Sequence, residues 1–273
     1  MTKMGYTDIH SHFLFGVDDG ARNIDQSLKM LEQAASLDIR NLLATPHATE
    51  MTEEGVGRQI QDNFKILKDK VLAEKIPVEI SLGSELFFSD RIYDWLEHPW
   101  ATFNGNKRYL LFELPLMAVP DGVSDFIFRC RLKNITPVLA HPERYARLHD
   151  TPETIYEWYR QGCLIQMDAG SLTGQFGSKV AVFSERLLKT GLCQFIASDA
   201  HDVEYRSYKI LAEAYKITLD LMQPEEADRL FNQNPALAVK GGSIDVPSLD
   251  GLIINDSWVN RIFARMNSIK KMF

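Results

Sequence analysis

Short, nearly continuous apolar runs alternate along this chain with stretches in which apolar residues recur every three to four positions. The runs lie at 6–13 (YTDIHSHF), 41–47, 78–87, 109–115, 136–143, 164–171 and 193–201. Their length and continuity suit strands buried on both faces of a parallel sheet. The periodic stretches suit amphipathic helices. In 23–38, Asn23 stands at a capping position with Gln26 three residues on, and Ile24, Leu28, Leu31 and Ala35 form one apolar stripe. The stretch 57–75 repeats this with Ile60, Phe64, Leu67 and Val71, and 151–162 opens on Thr-Pro and closes on Gly162. Repeated strand–helix units predict an α/β fold with a parallel sheet, open or closed into a barrel. Function is then expected beyond the carboxyl ends of the strands.

Those ends carry the polar chemistry. The first run ends in His10 and His12, which point to one side because strand side chains alternate. The next runs reach His47 in ATPH, Glu85 in GSELF, Glu113 in FELP and His141 in AHPER, and the last reaches Asp199 and His201 in SDAH. Histidines and carboxylates without thiolates suit manganese, iron or zinc. Nine candidate ligands exceed the needs of one ion, so two or three divalent metals are expected, with a glutamate bridging them. Asp18 and Asp19 compete for one role in DDG, and Asp168 in MDAGS serves equally well as a turn residue. His98 and His149 fall outside the pattern and read as surface residues. Arg144 and Arg206 follow metal-bearing strand ends and suit a phosphate monoester.

Composition narrows the picture. The 273 residues are 45% hydrophobic, enough for a sizeable core, and carry a formal charge of −7, which argues against a nucleic-acid binder. Three cysteines (Cys130, Cys163, Cys193) make no disulfide framework and indicate a reducing compartment. No apolar leader or membrane-length run is present, so a cytoplasmic protein is expected. The thiolate loop C-x5-R, the G-x-S-x-G elbow and the Gly-rich phosphate loop are all absent from the sequence.

In their order and spacing, DIHSHFLFGVDDG, ATPH, GSELF, LFELP, AHPER, SLTGQFG and ASDAH resemble the PHP (polymerase and histidinol phosphatase) superfamily. Within it they are most similar to the bacterial manganese-dependent protein tyrosine phosphatases of capsule and exopolysaccharide loci. The resemblance runs from about residue 6 to residue 235. It implies a distorted seven-stranded (β/α) TIM-like barrel and a trinuclear site. By motif it assigns metal binding to His10, His12, Asp19, His47, Glu85, Glu113, His141, Asp199 and His201, and phosphate binding to Arg144 and Arg206. The implied reaction is attack of metal-activated hydroxide on phosphotyrosine, and the implied partner is a tyrosine autokinase governing polysaccharide export. A small-molecule phosphomonoesterase such as histidinol phosphatase, a nuclease of the same superfamily and a metal-braced binding module are the alternatives. Phe13, Phe15, Phe87 and Phe88 are candidates for the mouth, with ordinary core packing expected for at least two of them. The expected organisation is one domain over 1–252. A basic amphipathic tail over 253–273 either packs on the domain or seeks the inner membrane face.

Overall fold

The computed structural model describes residues 5–48 and 54–246. The expected tail at 253–273 lies outside the described residues. The described chain forms nine short strands: β1 (Tyr6–Ser11), β2 (Ile39–Ala44), β3 (His47–Ala48), β4 (Glu79–Leu82), β5 (Glu85–Phe87), β6 (Tyr109–Glu113), β7 (Thr136–Ala140), β8 (Leu164–Asp168) and β9 (Phe195–Ala197). All ladders are parallel, in one sheet ordered β1-β2-β4 and another ordered β3-β5-β6-β7-β8-β9. The seven expected strands become nine because two of them break. Pro46, with no N–H to donate, interrupts the run between β2 and β3. The Gly83–Ser84 step interrupts the run between β4 and β5, where the Gly83 N–H bonds the Ala44 carbonyl at 2.8 Å and the Glu85 N–H bonds the Pro46 carbonyl at 3.1 Å. Both breaks therefore stay hydrogen-bonded and carry the strand direction on.

Two cores sort the strand residues. One sheet face packs on the outer helices through Leu110, Phe112, Leu139, Ile165, Met167 and Ile196. The opposite face gathers Tyr109, Leu111, Val138, Ala140, Leu164 and Phe195 over Phe103 and Ala238. Continued by two, the second face carries Glu113 on β6 and Gln166 and Asp168 on β8 to the carboxyl end. Helices flank the sheet as the periodicity predicts. In Ile24–Ser36, Asn23 accepts the Gln26 N–H at 3.0 Å. Gln26 reaches back to the Arg22 N–H at 2.8 Å rather than to Asn23, so the reciprocal half of the box is displaced by one residue. Among the described residues, no helix is long and apolar enough to cross a membrane.

β1 and β9 meet at a parallel bridge between Ser11 and Ala200. The His12 N–H bonds the Ala200 carbonyl at 2.8 Å, and the Asp199 N–H bonds the His10 carbonyl at 2.9 Å. A buried carboxylate straps this seam: Asp8 accepts the Ser198 N–H at 3.0 Å and the Ser198 hydroxyl. Replacing Asp8 with alanine leaves the buried Ser198 N–H without its partner and the Ser198 hydroxyl with only the His10 carbonyl at 3.4 Å, an expected loss of about 1–3 kcal/mol. Urea titration of the metal-free protein measures it. A loss below about 1 kcal/mol, the worth of one ordinary hydrogen bond, would show that the strap does not hold the seam.

Candidate metal centre

At the carboxyl end of the strands, nine side chains converge. Four sets of ligand atoms lie within 4.8 Å of one another: His12, Asp19, His47 and His201; His10, His12 and Glu85; His10, His141 and Asp199; and His47, Glu85 and Glu113. These are the nine residues that the strand-end pattern and the motif resemblance single out. Glu85 is the hub. Its Oε2 lies 3.1 Å from His10 Nε2, 3.4 Å from His12 Nε2 and 3.1 Å from His47 Nδ1, and its Oε1 lies 3.0 Å from His141 Nε2. Asp199 Oδ1 faces the same pair of imidazoles, at 3.3 Å from His10 and 3.4 Å from His12. Glu113 Oε1 approaches His47 Nδ1 at 3.1 Å. Asp19 sits on the open side, 64% exposed, with Oδ1 3.3 Å from His201 and 3.5 Å from His47.

The two aspartates of DDG divide the work. Asp18 Oδ2 accepts from His12 Nδ1 at 2.7 Å and from the His47 N–H at 3.1 Å, so it orients ligands, while Asp19 reaches the cluster itself. Gly20 is required here by close approach rather than by its backbone angles. A Cβ at this position falls 2.0 Å from the His12 carbonyl oxygen. His141 (φ 35°) and Asp199 (φ 50°) both adopt left-handed backbone, a cost of about 1–3 kcal/mol each that aims them at the cluster.

The histidine tautomers follow from outer partners. Gln166 donates its amide to the Met167 carbonyl at 2.8 Å, so its Oε1 accepts from His10 Nδ1, also at 2.8 Å. His12 Nδ1 is tied to Asp18, and His201 Nδ1 donates to the Asp199 carbonyl at 2.9 Å. With Nδ1–H so engaged, each neutral ring turns an Nε2 lone pair inward, the arrangement typical of metal-binding histidines. His201 Nε2, His47 Nδ1 and Glu85 Oε2 are buried with no hydrogen-bond partner among the described residues. Lone pairs converging without donors are what a divalent cation satisfies. These residues therefore fit metal ions.

The charge balance agrees. Burial opposes charge on His47, but Glu85 and Glu113 outweigh it and carry the pKa up to about 10. Burial also opposes charge on His10 and His12, yet Glu85 with Asp199 raises the first and Asp18 raises the second well above the usual imidazole value. Against the same burial, His10 and its neighbours hold Glu85 and Asp199 well below the usual carboxylate range. The pocket thus demands positive charge at its centre.

Both arginines bind one oxygen on the far side of this cluster. Arg144 Nη1 lies 2.8 Å from Asp199 Oδ2, and Arg206 Nη2 donates to that same Oδ2. Arg144 stacks on Phe176 at 4.4 Å and lies 3.5 Å from Asp168. Asp168 accepts the Gly170 N–H at 2.7 Å, and burial followed by repulsion from Asp199 pushes its carboxyl well up. It is a turn residue and arginine partner, outside all four ligand sets. Gln166, missed by sequence reasoning, had one visible signal: an amide inside an otherwise apolar strand. Of the aromatic candidates for the mouth, Phe13 and Phe88 are core residues, while Phe15 and Phe87 are partly exposed. His98 is exposed as expected, but His149 is half-buried, stacked on Phe183.

Comparison with known proteins places this geometry. The chain is 32% identical over 234 residues to the tyrosine-protein phosphatase YwqE of Bacillus subtilis, covering 82% of this chain and 91% of that protein. It is 30% identical over 238 residues to the tyrosine-protein phosphatase CpsB of Streptococcus agalactiae, covering 85% and 98%. A solved chain from work on YwqE of Bacillus subtilis and CpsB of Streptococcus pneumoniae, named there as metal-dependent tyrosine phosphatases, superposes with a TM-score of 0.79 at 31% identity. That match covers 88% of this chain and 97% of the other. The phosphotriesterase homology protein of Escherichia coli shares the fold at 10% identity, with a TM-score of 0.56 over 88% of this chain and 100% of its own. The profile of the capsular polysaccharide synthesis family CpsB/CapC matches residues 6–240, and this chain belongs to that family.

Proposed function

We propose that the protein is a metal-dependent protein tyrosine phosphatase that removes phosphate from a tyrosine-phosphorylated autokinase of capsule or exopolysaccharide synthesis. The observation that carries this reading is the convergence of unpartnered His and Glu lone pairs beside two arginines. His10, His12, Asp19, His47, Glu85, Glu113, His141, Asp199 and His201 would hold two or three divalent ions, with manganese the favoured metal and iron or zinc the alternatives. Bound there, such ions polarise phosphoryl oxygens and bring water to a nucleophilic state near neutral pH. Arg144 and Arg206 balance the charge on the equatorial oxygens, and Asp199 keeps both guanidiniums at one place by sharing a single oxygen between them. The buried His10, His12, Glu85 and His141 keep bulk water from the centre and so strengthen each of these interactions. A phenol leaves with a pKa of about 10, so a tyrosine ester needs little help from a proton donor.

The meeting of β1 with β9 at Ser11 and Ala200 supports a closed, distorted (β/α) barrel. Counted as single bent strands, 39–48 and 79–87 leave seven. A cytoplasmic site of action fits the three buried free cysteines.

Chelation tests the reading. Stripped protein is expected to lose at least about 10³-fold in turnover of a phosphotyrosyl peptide and to regain it on manganese addition. Histidinol phosphate and single-stranded DNA serve as rival substrates. Full activity in protein shown by metal analysis to be stripped, or faster turnover of a rival, would count against the proposal.

A further inference from the structure

An open groove of about 340 Å³ is lined by His149, Ser178, Lys179, Val182, Phe183 and Arg186. None of these residues belongs to the metal-centre cluster. Both walls are nonetheless continuous with it. One wall is the segment that follows β7: it carries Arg144 on Asp199, then His149, whose Nε2 bonds the Glu143 carbonyl at 2.7 Å. The other begins at Phe176, whose ring lies under the Arg144 guanidinium, and continues after Gly177 as the helix Ser178–Lys189. The walls meet where His149 stacks on Phe183 at 4.2 Å with an interplanar angle of 12°. Both walls thus start at the Arg144–Phe176 contact, next to the guanidinium that would hold a phosphate.

The groove is cationic in a chain of net charge −7. Lys179 and Arg186 are exposed on its wall, and neither pairs with a carboxylate among the described residues. Elsewhere on the same helix Lys189 does pair, with Glu185 at 3.6 Å. The first-turn N–H groups of the helix add positive potential at Ser178. The floor, of Val182, Phe183 and the His149 ring, is apolar and suits the stems of long acidic side chains.

We propose that this groove binds acidic residues flanking the phosphotyrosine of a peptide substrate. The assignment rests on the phosphatase reading for the place of the phosphotyrosine. It takes the protein beyond a generic phosphomonoesterase, because it selects the sequence around the phosphate. Opposite charge across such a rim sets register and encounter rate.

The test compares the metal-loaded wild type with the charge-reversed double variant Lys179→Glu, Arg186→Glu. Both positions are solvent-facing and outside the core, and circular dichroism checks that the fold is retained. Fluorescence anisotropy measures the Kd of a labelled peptide bearing a non-hydrolysable phosphonate analogue of phosphotyrosine, flanked by glutamates. A second peptide carries glutamines in their place. The double reversal is expected to weaken the glutamate peptide about tenfold relative to the glutamine peptide, with the difference shrinking at high salt. The ratio of kcat/KM for the glutamate phosphopeptide over p-nitrophenyl phosphate is expected to fall by the same factor. An unchanged Kd ratio overturns the groove assignment. Wild-type protein that binds the glutamate peptide through these residues but hydrolyses neither substrate would sink the phosphatase reading while leaving the groove standing.

Discussion

Glu85→Gln is expected to empty the metal centre and to lower turnover of a phosphotyrosyl peptide by at least about 10³-fold. No other carboxylate of the cluster faces as many of its imidazoles: the two Glu85 oxygens meet His10, His12, His47 and His141 at 3.0–3.4 Å. Glutamine keeps the volume but removes the charge and turns an N–H₂ toward nitrogens that should present lone pairs. Elemental analysis after gel filtration reads the metal, and a steady-state assay reads the rate. In the metal-free interior the imidazoles of His10 and His47 offset the Glu85 charge, so its removal costs some stability, and circular dichroism of the variant checks that the fold is retained. Wild-type metal content together with wild-type turnover would show that Glu85 is not the hub.

Arg144→Ala is expected to lower kcat/KM by about 10²–10³-fold while leaving the metal content intact. Arg144 touches Asp199 through Oδ2, the oxygen turned away from His10 and His12, so its loss leaves the ligand side of that carboxylate undisturbed. Arg206 remains on the same oxygen. Arg144→Lys should restore only a small part of the rate, because a point charge cannot reproduce two parallel donors or the stacking on Phe176. Since the two arginines share one acceptor, the double variant with Arg206→Ala should fall short of the summed single effects. Full activity in the Arg144→Ala variant would remove the arginine from phosphate binding.

The strand-end pattern was legible because it depends on local rules. His10 and His12 share a side through strand alternation, and Glu113 follows Tyr109 and Leu111 on one face by the same period of two. Helix caps were legible in kind but not in partner. Asn23 accepts its predicted N–H, whereas Gln26 serves Arg22 instead of Asn23, since a flexible, exposed side chain reaches either of two adjacent backbone N–H groups. The breaks at Pro46 and at Gly83–Ser84 were not read, although proline and glycine mark them, because each continuous apolar run outweighed its punctuation. His149 reads as a surface residue in the sequence, and only packing against Phe183 makes it half-buried.

The order of residues along the chain, by itself, determined the alternating α/β plan, the ends at which chemistry collects and the donor types gathered there. These follow from periodicities of two and 3.6 and from side-chain chemistry, both carried within a few residues. The tertiary structure decided which aspartate of DDG meets the cluster and which one steers His12. It also decided that Gln166 sets the His10 tautomer, and that Asp8 and Ser198 fasten strands 190 residues apart. Those outcomes depend on distances of a few tenths of an ångström between segments remote in sequence. No local propensity encodes them, because they arise only when the two partners are packed into the same volume.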